Sequence, residues 1–271
     1  MSILQYSFMQ RAFLVGVLLA IIAPCIGMTI VLQRKSMIGD ALSHTSLAGV
    51  AIGILLGINP ILGATGACIV AALSIEVIQK KIPRYSEMAI AIIMSTGIGL
   101  AGVLSGFTKS SGNFNSFLFG SIVAISDLEL RMVVFVSISV LAAFLLLYKE
   151  LFFIGFDQRT ARIAGVPVKM VNFIFTLLTA LTISIASRTV GALVVSSLLV
   201  IPVACGMQVG RSYKLTLIFS VIFAVFFTVT GLTLSYYWKL KPGGTIVLTG
   251  VASFLIIVLL KAVIRTFRKT E

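Results

Sequence analysis

Long apolar runs separated by short polar segments dominate the pattern of the chain. A helix needs about 20 mainly apolar residues to cross the hydrocarbon core of a bilayer. By this criterion the pattern predicts nine spans, near residues 12–32, 40–57, 61–78, 87–106, 128–148, 170–187, 190–209, 215–236 and 244–264. Because some runs are short and two nearly fuse, counts from eight to ten fit, with nine as the central value. The pattern predicts an all-α polytopic integral membrane protein.

The segment from Thr108 to Ser126 is the largest connection on the predicted external side. It begins with polar TKSSGN, whereas its second half, NSFLFGSIVAIS from Asn115, is apolar but too short to cross. Buried against protein, a re-entrant or interfacial helix would have its backbone polar groups satisfied. We therefore expect about 8–9 transmembrane helices plus one such segment.

Composition excludes several classes of protein. Of the 271 residues, 59% are apolar and 11% are charged, which is typical of a polytopic membrane protein and not of a soluble domain. No interval between the runs can hold a soluble domain, so residues 1–271 are predicted to form a single transmembrane domain. The chain has no GxxxxGK[ST] stretch to bind nucleotide phosphates. Any ATP hydrolysis is therefore expected in a partner chain.

The positive charge of the chain is informative through its position. The net charge is +13, but the basic residues are scattered at the ends of apolar runs, which disfavours nucleic-acid binding. Fifteen of the 21 lysines and arginines fall in five segments, namely 33–39, 79–86, 149–169, 210–214 and the tail from Lys261. Cytoplasmic loops carry such an excess of basic residues. The C-terminus is therefore predicted to be cytoplasmic and, with nine spans, the N-terminus external.

The first apolar run and the cysteines both have structural interpretations. The run at 12–32 is longer than a typical signal-peptide core and is followed at once by another, so we expect a retained first helix. Cys25, Cys68 and Cys205 are widely spaced, and each lies in an apolar stretch. They are predicted to be small buried hydrophobes and not ligands or disulfide partners.

The stretch GDALSHTSLAG, residues 39–49, holds the clearest functional candidates. Asp40 and His44, the latter being the only histidine, lie four residues apart in a predicted span, about 8 and 14 Å along the helix that follows a basic turn. Ionisable residues within a membrane are costly and mark functional sites by default. Side chains at i and i+4 are neighbours on a helix, with Cβ atoms about 6 Å apart. They can therefore contact one ion together.

Three interpretations of this pair remain open from spacing alone. A carboxylate oxygen and an imidazole nitrogen suit zinc and also manganese or iron. A buried Asp–His hydrogen bond between helices and a proton relay are the alternatives. Two ligands hold an ion weakly, which suits a conduit that must release it. Further polar residues are candidates for the transport pathway, namely Ser43, Glu87, Ser196 and Ser197.

Several charged residues also have simple structural explanations. Glu76 precedes the basic run at 80–81 and can pair with it, and Glu87 can stabilise the start of the fourth span. Asp127 and Glu129 can cap the fifth span, and Arg188 can reach the external interface from a corner between two spans.

The polar segment 149–169 contains FDQRTARIAGVPV, residues 156–168. Asp157 is predicted to cap a short helix with Ala161 and Ala164 on a small-residue side, and Gly165 with Pro167 to end it. Such a helix on the membrane surface can dock into another protein.

Five stretches resemble the bacterial zinc/manganese/iron ABC transporter permease family, nearly from end to end of the chain. They are GDALSHTSLAGVAIG at 39–53, SEMAIAIIMSTG at 86–97, NSFLFGSIVAIS at 115–126, FDQRTARIAGVPV at 156–168 and RTVGALVVSSLLVIP at 188–202. The resemblance implies a homodimeric importer subunit in the bacterial cytoplasmic membrane. Its implied partners are two cytoplasmic ATP-binding subunits and an extracytoplasmic metal-binding protein. It also implies a divalent metal as transported substrate, with no permanently bound cofactor.

The resemblance also implies roles for individual residues. It implies that Asp40 and His44 contact the metal on the translocation path. For the segment after Asp157 it implies docking to the ATPase through Gln158, Ala161 and Gly165. Movement of the ion is then expected to follow alternating access driven by the partner, with no covalent step in this chain.

Zinc is the metal that the sequence favours, with manganese or iron as the alternative. HTSLAG, and TALTISIASRTVGALV at 179–194, are closer to the zinc-uptake branch, because the manganese branch tends to show a proline where this chain has Ala48. Two different classes remain to be distinguished. A stand-alone metal channel or proton-coupled carrier would work without an ATPase, and an intramembrane enzyme would need His44 as its base.

Overall fold

The predicted apolar runs all fold as helices. The computed structural model describes residues 5–82, 85–107 and 125–267, and no strand occurs in these ranges. The helices are α1 (Ser7–Leu32), α2 (Ile38–Leu55), α3 (Pro60–Lys81), α4 (Ser86–Phe107), α5 (Asp127–Leu146), α6 (Tyr148–Phe156), α7 (Gln158–Ile163), α8 (Val168–Thr189), α9 (Ala192–Val209), α10 (Tyr213–Trp238) and α11 (Pro242–Phe267).

Eight helices in the described ranges are long and apolar enough to cross a membrane, namely α1, α2, α3, α4, α5, α8, α10 and α11. The ninth apolar run forms the shorter helix α9. An all-α polytopic fold with eight or nine spans is therefore confirmed. Nearly all of the predicted re-entrant or interfacial segment, residues 108–124, lies outside the described ranges, so that segment stays a prediction.

Local signals explain where two of the spans begin. The Asn59 Oδ1 atom accepts a hydrogen bond of 2.9 Å from the Ile61 N–H, and Pro60 occupies the first helical position of α3. At α5, the Ser126 hydroxyl accepts from the Glu129 N–H while the Glu129 carboxylate accepts from the Ser126 N–H. Both arrangements satisfy amide groups that have no partner within the helix, so the polar turns define these ends sharply.

Burial separates central helices from peripheral ones. In their most apolar windows, 72% of α1 positions and 67% of α2 positions are buried, against 11% for α11. The short helix α9 packs against α1, α2, α10 and α11, and its side chains Val195, Leu199 and Val203 are buried. The helix that carries Asp40 and His44 is thus one of the most enclosed in the bundle.

Small residues allow α2 to approach its neighbours closely. A Cβ added at Gly49 would lie 2.8 Å from the Ala64 Cα of α3, and one added at Gly97 of α4 would lie 2.9 Å from the Thr45 nitrogen. Ser46 and the Ser187 hydroxyl of α8 form a buried hydrogen bond of 2.9 Å. Close backbone approach through small residues is typical of helix packing in membranes.

The three cysteines, Cys25, Cys68 and Cys205, are buried and form no disulfide bond. The Cys68 thiol donates to the Leu42 carbonyl across the α2–α3 contact, at 3.3 Å. Their predicted role as small hydrophobic residues is confirmed.

Different helix ends meet at the two ends of the bundle. One cavity gathers residues from the last turns of α1 and α3 and the first turns of α2 and α8. Ion pairs join the beginnings of α1 and α5 and the end of α8. These groupings match the alternating direction of the predicted spans, and the cavity lies at the end that the basic segments assign to the cytoplasm.

Candidate metal pathway and coupling surface

Asp40 and His44 lie in the first and second turns of α2. Residues 33–37 form a non-helical turn, so α2 begins only at Ile38. At a rise of 1.5 Å per residue, the two Cα atoms lie about 3 and 9 Å along the helix, less deep than the sequence interpretation had them. The first turn favours a carboxylate electrostatically, because unpaired N–H groups point toward it.

The two side chains are half-buried, whereas the intervening Ala41, Leu42 and Ser43 are buried. Within the described residues, neither Asp40 nor His44 forms a hydrogen bond or an ion pair. The Asp–His hydrogen bond that the sequence left open is therefore not formed in this part of the chain. Polar atoms of both residues stay available on one side of α2.

A complete metal site is not present in the described part of the chain, since no group of three or more His, Cys, Asp and Glu side chains gathers there. Glu87, a pathway candidate, is exposed in the first turn of α4 and does not complete such a group. The Ser43 hydroxyl is buried and has no hydrogen-bond partner among the described residues. An ion at Asp40 and His44 would need water or further ligands from outside these residues.

Ser196 and Ser197 lie in the middle of α9, and both are half-buried. Ser196 packs on the start of α2, because a Cβ added at Gly39 would lie 3.3 Å from the Ser196 Cα. Ser197 instead lines a small gap with Phe227 of α10 and Gly250 of α11. Of the two serines, only Ser196 lies against the helix that carries the candidate pair.

A cavity of about 600 Å³ opens at the basic end of the bundle, beside α7. Neither Asp40 nor His44 lines it. Its charged lining consists of five cations and one carboxylate, namely Lys35, Lys80, Arg159, Arg162, Lys169 and Glu76. Glu76 pairs with Lys80 at 2.6 Å, which confirms the pairing predicted for it. Burial lowers the pKa of the Lys35 ammonium, a shift that the nearby charge of Glu76 opposes.

The segment 156–168 forms the short capped helix that its sequence predicts, although Ala164 lies just after the helix and is exposed. The Asp157 carboxylate accepts hydrogen bonds from the Arg159 N–H, at 3.0 Å, and from the Thr160 N–H and hydroxyl. These hydrogen bonds hold the pKa of the Asp157 carboxyl below its usual value, and the bond from the Thr160 hydroxyl has the largest effect. Gly165 ends α7 with a φ of +82°, which favours glycine. Asp157 and Gly165 therefore determine the two ends of this short helix.

The α7 side chains divide into an anchored and an exposed group. Ala161 is fully buried against the bundle, and Gln158 is half-buried beside the basic cavity. Ile163 is 88% exposed, an unusual environment for a large apolar side chain outside the spans. Sequence reasoning missed Ile163, although an apolar residue within the polar stretch 157–163 was a visible signal.

At the opposite end, charged residues are paired within the chain. Arg188 of α8 and Glu129 of α5 form an ion pair of 2.8 Å, and Arg11 of α1 pairs with Asp127 at 2.8 Å. Glu129 also takes part in the α5 cap. Arg188 was expected only to reach the interface, so its tie to α5 is a contact that local sequence did not indicate.

Comparison with known proteins identifies the family of the chain. The profile of the ABC 3 transport family matches residues 5–261. The chain belongs to this family. A Treponema pallidum protein named "Probable metal transport system membrane protein" is 34% identical, over 96% of this chain and 98% of its own. The Listeria monocytogenes "Manganese transport system membrane protein MntC" is 33% identical, over 94% of this chain and 91% of its own.

A solved structure extends the likeness to three dimensions. The structure titled "PsaBC from Streptococcus pneumoniae in complex with Fab" contains a chain that matches with a TM-score of 0.84 and 30% identity, covering 94% of this chain and 92% of that one. Family membership favours a transport subunit over an intramembrane enzyme. The relatives named here include a manganese system and no zinc system, so the predicted preference for zinc is not supported by them.

Proposed function

We propose that the chain is the permease subunit of an ATP-driven importer of divalent transition metals, with Mn²⁺ as the main substrate. The observation that carries the proposal is the half-buried pair Asp40 and His44, one turn apart in an enclosed span and without a partner among the described residues. The name of the Listeria monocytogenes relative favours manganese over zinc. Zinc stays the alternative, because carboxylate and imidazole ligands suit both ions.

The pair acts as a transient contact on the path. Asp40 supplies a carboxylate oxygen and His44 a neutral imidazole nitrogen, and water completes the coordination shell of the ion. Two protein ligands bind weakly enough to release the ion again, as a conduit requires. Ser43 and Ser196, which lie on and against α2, offer hydroxyl oxygens beside the path, while Glu87 and Ser197 are the more remote candidates.

A second copy of the chain is part of the proposal. The half-exposed sides of Asp40 and His44 are not covered by other described residues, and within one chain no third ligand of the His, Cys, Asp or Glu type joins them. In a homodimer, two such pairs would face a shared cavity. This arrangement keeps the ion between the two copies, where rocking of one against the other gives alternating access.

The basic end of the bundle is assigned to the cytoplasm, together with the C-terminus. Two ATP-binding subunits dock there on α7, where Gln158, Ile163 and Gly165 form the contact surface and buried Ala161 anchors the helix. An extracytoplasmic metal-binding protein delivers the ion at the other end. In this role Ile163 is the residue whose exposure most favours a partner, because burial of an apolar side chain stabilises an interface.

The experiment is metal uptake by the complete transporter in proteoliposomes, with radioactive Mn²⁺ and Zn²⁺ at matched free concentrations. Asp40→Ala and His44→Ala are expected to abolish ATP-dependent uptake, and the wild-type complex is expected to move Mn²⁺ faster than Zn²⁺. Asp127→Asn, which removes a carboxylate at the other end of the bundle, is the control. Normal uptake in both α2 variants would refute the metal role of the pair. Faster Zn²⁺ uptake would reverse the choice of ion, and uptake without the ATPase would favour a channel or carrier.

A further inference from the structure

The basic cavity beside α7 has a charge that the proposed metal path does not explain. Among the described residues, its lining holds five cations and one carboxylate. The carboxylate, Glu76, already pairs with Lys80. Among the described residues, Lys35, Arg159, Arg162 and Lys169 form no ion pair with a carboxylate. The positive electrostatic potential of these side chains repels a divalent cation, so this cavity is not a suitable exit for the metal. The same potential would strongly favour an anion.

The inner wall of the same cavity is apolar. It is built from span residues that are largely buried, including Leu42 of α2, Ile75 of α3 and Phe175 of α8. A site with a basic mouth and an apolar wall matches an amphiphile, in which a charged group is joined to hydrocarbon. A small soluble anion would use the mouth and leave the wall unoccupied.

Two lining residues carry donors that no other described residue satisfies. The Gln33 amide nitrogen is buried and has no hydrogen-bond partner among the described residues. Lys35 is half-buried, and burial lowers the pKa of its ammonium. Its ammonium also forms no ion pair among the described residues. Leaving a buried donor or a cation without an acceptor is costly. An anionic oxygen placed between Gln33 and Lys35 would satisfy both donors.

We propose that this cavity binds the phosphate-bearing headgroup of an anionic membrane lipid, with its glycerol and upper chain carbons against the apolar wall. The shared chemistry is a phosphate ester. The lipid is the source that the apolar wall favours, and basic pockets between membrane helices on the cytoplasmic side are known to hold such headgroups. From the proposed function, the inference takes that this end faces the cytoplasm and that α7 docks the ATPase. Because Arg159 and Arg162 belong to α7, the bound lipid would brace the ATPase-docking helix against the bundle.

The test is native mass spectrometry of the full-length chain in mild detergent, titrated with phosphatidylglycerol or with phosphatidylcholine. Wild-type protein is expected to retain phosphatidylglycerol in preference. The double variant Lys35→Gln/Lys169→Gln removes two lining cations, and its affinity for phosphatidylglycerol is expected to fall by about tenfold or more. Lys81→Gln/Lys214→Gln removes the same charge from exposed positions outside the cavity and is the matched control.

The outcomes separate the possible sources of the phosphate. Equal retention of the two lipids, or equal loss of phosphatidylglycerol in both double variants, would overturn the proposal. A third arm titrates inorganic phosphate and glycerol phosphate against bound phosphatidylglycerol. Displacement by either at concentrations comparable with that of the lipid would assign the cavity to a soluble phosphate instead. No metal or ATP is present, so failure of metal transport and failure of lipid binding are scored independently.

Discussion

Two groups of charged residues within the spans have opposite environments. At one end of the bundle, Glu129 is held by Arg188 and by the α5 cap. In α2, Asp40 and His44 are half-buried, and no described side chain pairs with them. The paired residues join helices and have a sufficient structural explanation. The unpaired residues have no such explanation among the described residues, and this difference is the reason that the proposed metal path runs along α2.

The largest expected effect concerns the unpaired residues. Asp40→Ala and His44→Ala should each lower the rate of metal uptake by about 100-fold or more, since loss of a metal contact outweighs the losses seen for supporting residues. Neither should lower the melting temperature of the purified chain appreciably, because no hydrogen bond or ion pair is lost in the described structure. Uptake assays and thermal unfolding in detergent measure the two effects. A large drop in melting temperature would mean that the pair is structural after all.

The next effect tests whether packing, not charge, holds α2 in place. Gly49→Ala should destabilise the chain by about 1–3 kcal/mol, because the added methyl group collides with the α3 backbone. Gly66→Ala is the matched control, since a Cβ at Gly66 meets nothing within 4 Å. Chemical unfolding of both variants gives the comparison. Equal stabilities would show that the α2–α3 contact is looser than described.

A smaller effect is expected from the paired residues. Glu129→Gln should cost about 1–2 kcal/mol, below the cost of breaking a fully buried ion pair, since the Arg188 side chain is 31% exposed. Uptake by the protein that remains folded should stay near the wild-type rate. Chemical unfolding and uptake together measure this, and a transport defect without a loss of stability would place Glu129 in the pathway and remove the contrast with Asp40.

The smallest effect concerns Asp157, whose carboxylate accepts its hydrogen bonds from residues of the helix that it caps. Because hydrogen bonds lower the folded-state pKa of Asp157, its contribution to stability is complete above the unfolded value of about 4 and is lost as the pH falls through the lowered value. Asp157→Ala should therefore speed hydrogen exchange of the α7 amides at neutral pH. Thr266→Ala, in α11, should leave α7 unchanged. Protection of α7 that does not depend on Asp157 would contradict the role of the cap.

Periodicity and composition were enough to predict every described span, because a helix in a bilayer must satisfy its own backbone and must be long enough to cross. Local signals of the same kind predicted the caps at Asp157 and Gly165. The predicted depth of Asp40 along its helix was less accurate. It depended on where the turn after α1 ends, and such turns are decided by packing as much as by residue type.

Contacts between distant segments were beyond the reach of local pattern. Nothing near Arg188 indicates that Glu129, 59 positions away, is its partner, and nothing near Lys35 indicates a cavity shared with Arg162 and Lys169. The helices and the chemical character of Asp40 and His44 follow from the order of residues, since both depend on neighbours within one or two turns. Which charges are satisfied, which donors stay unpaired and where a basic cavity opens were decided by the packing of the helices, because these depend on segments that only folding brings together.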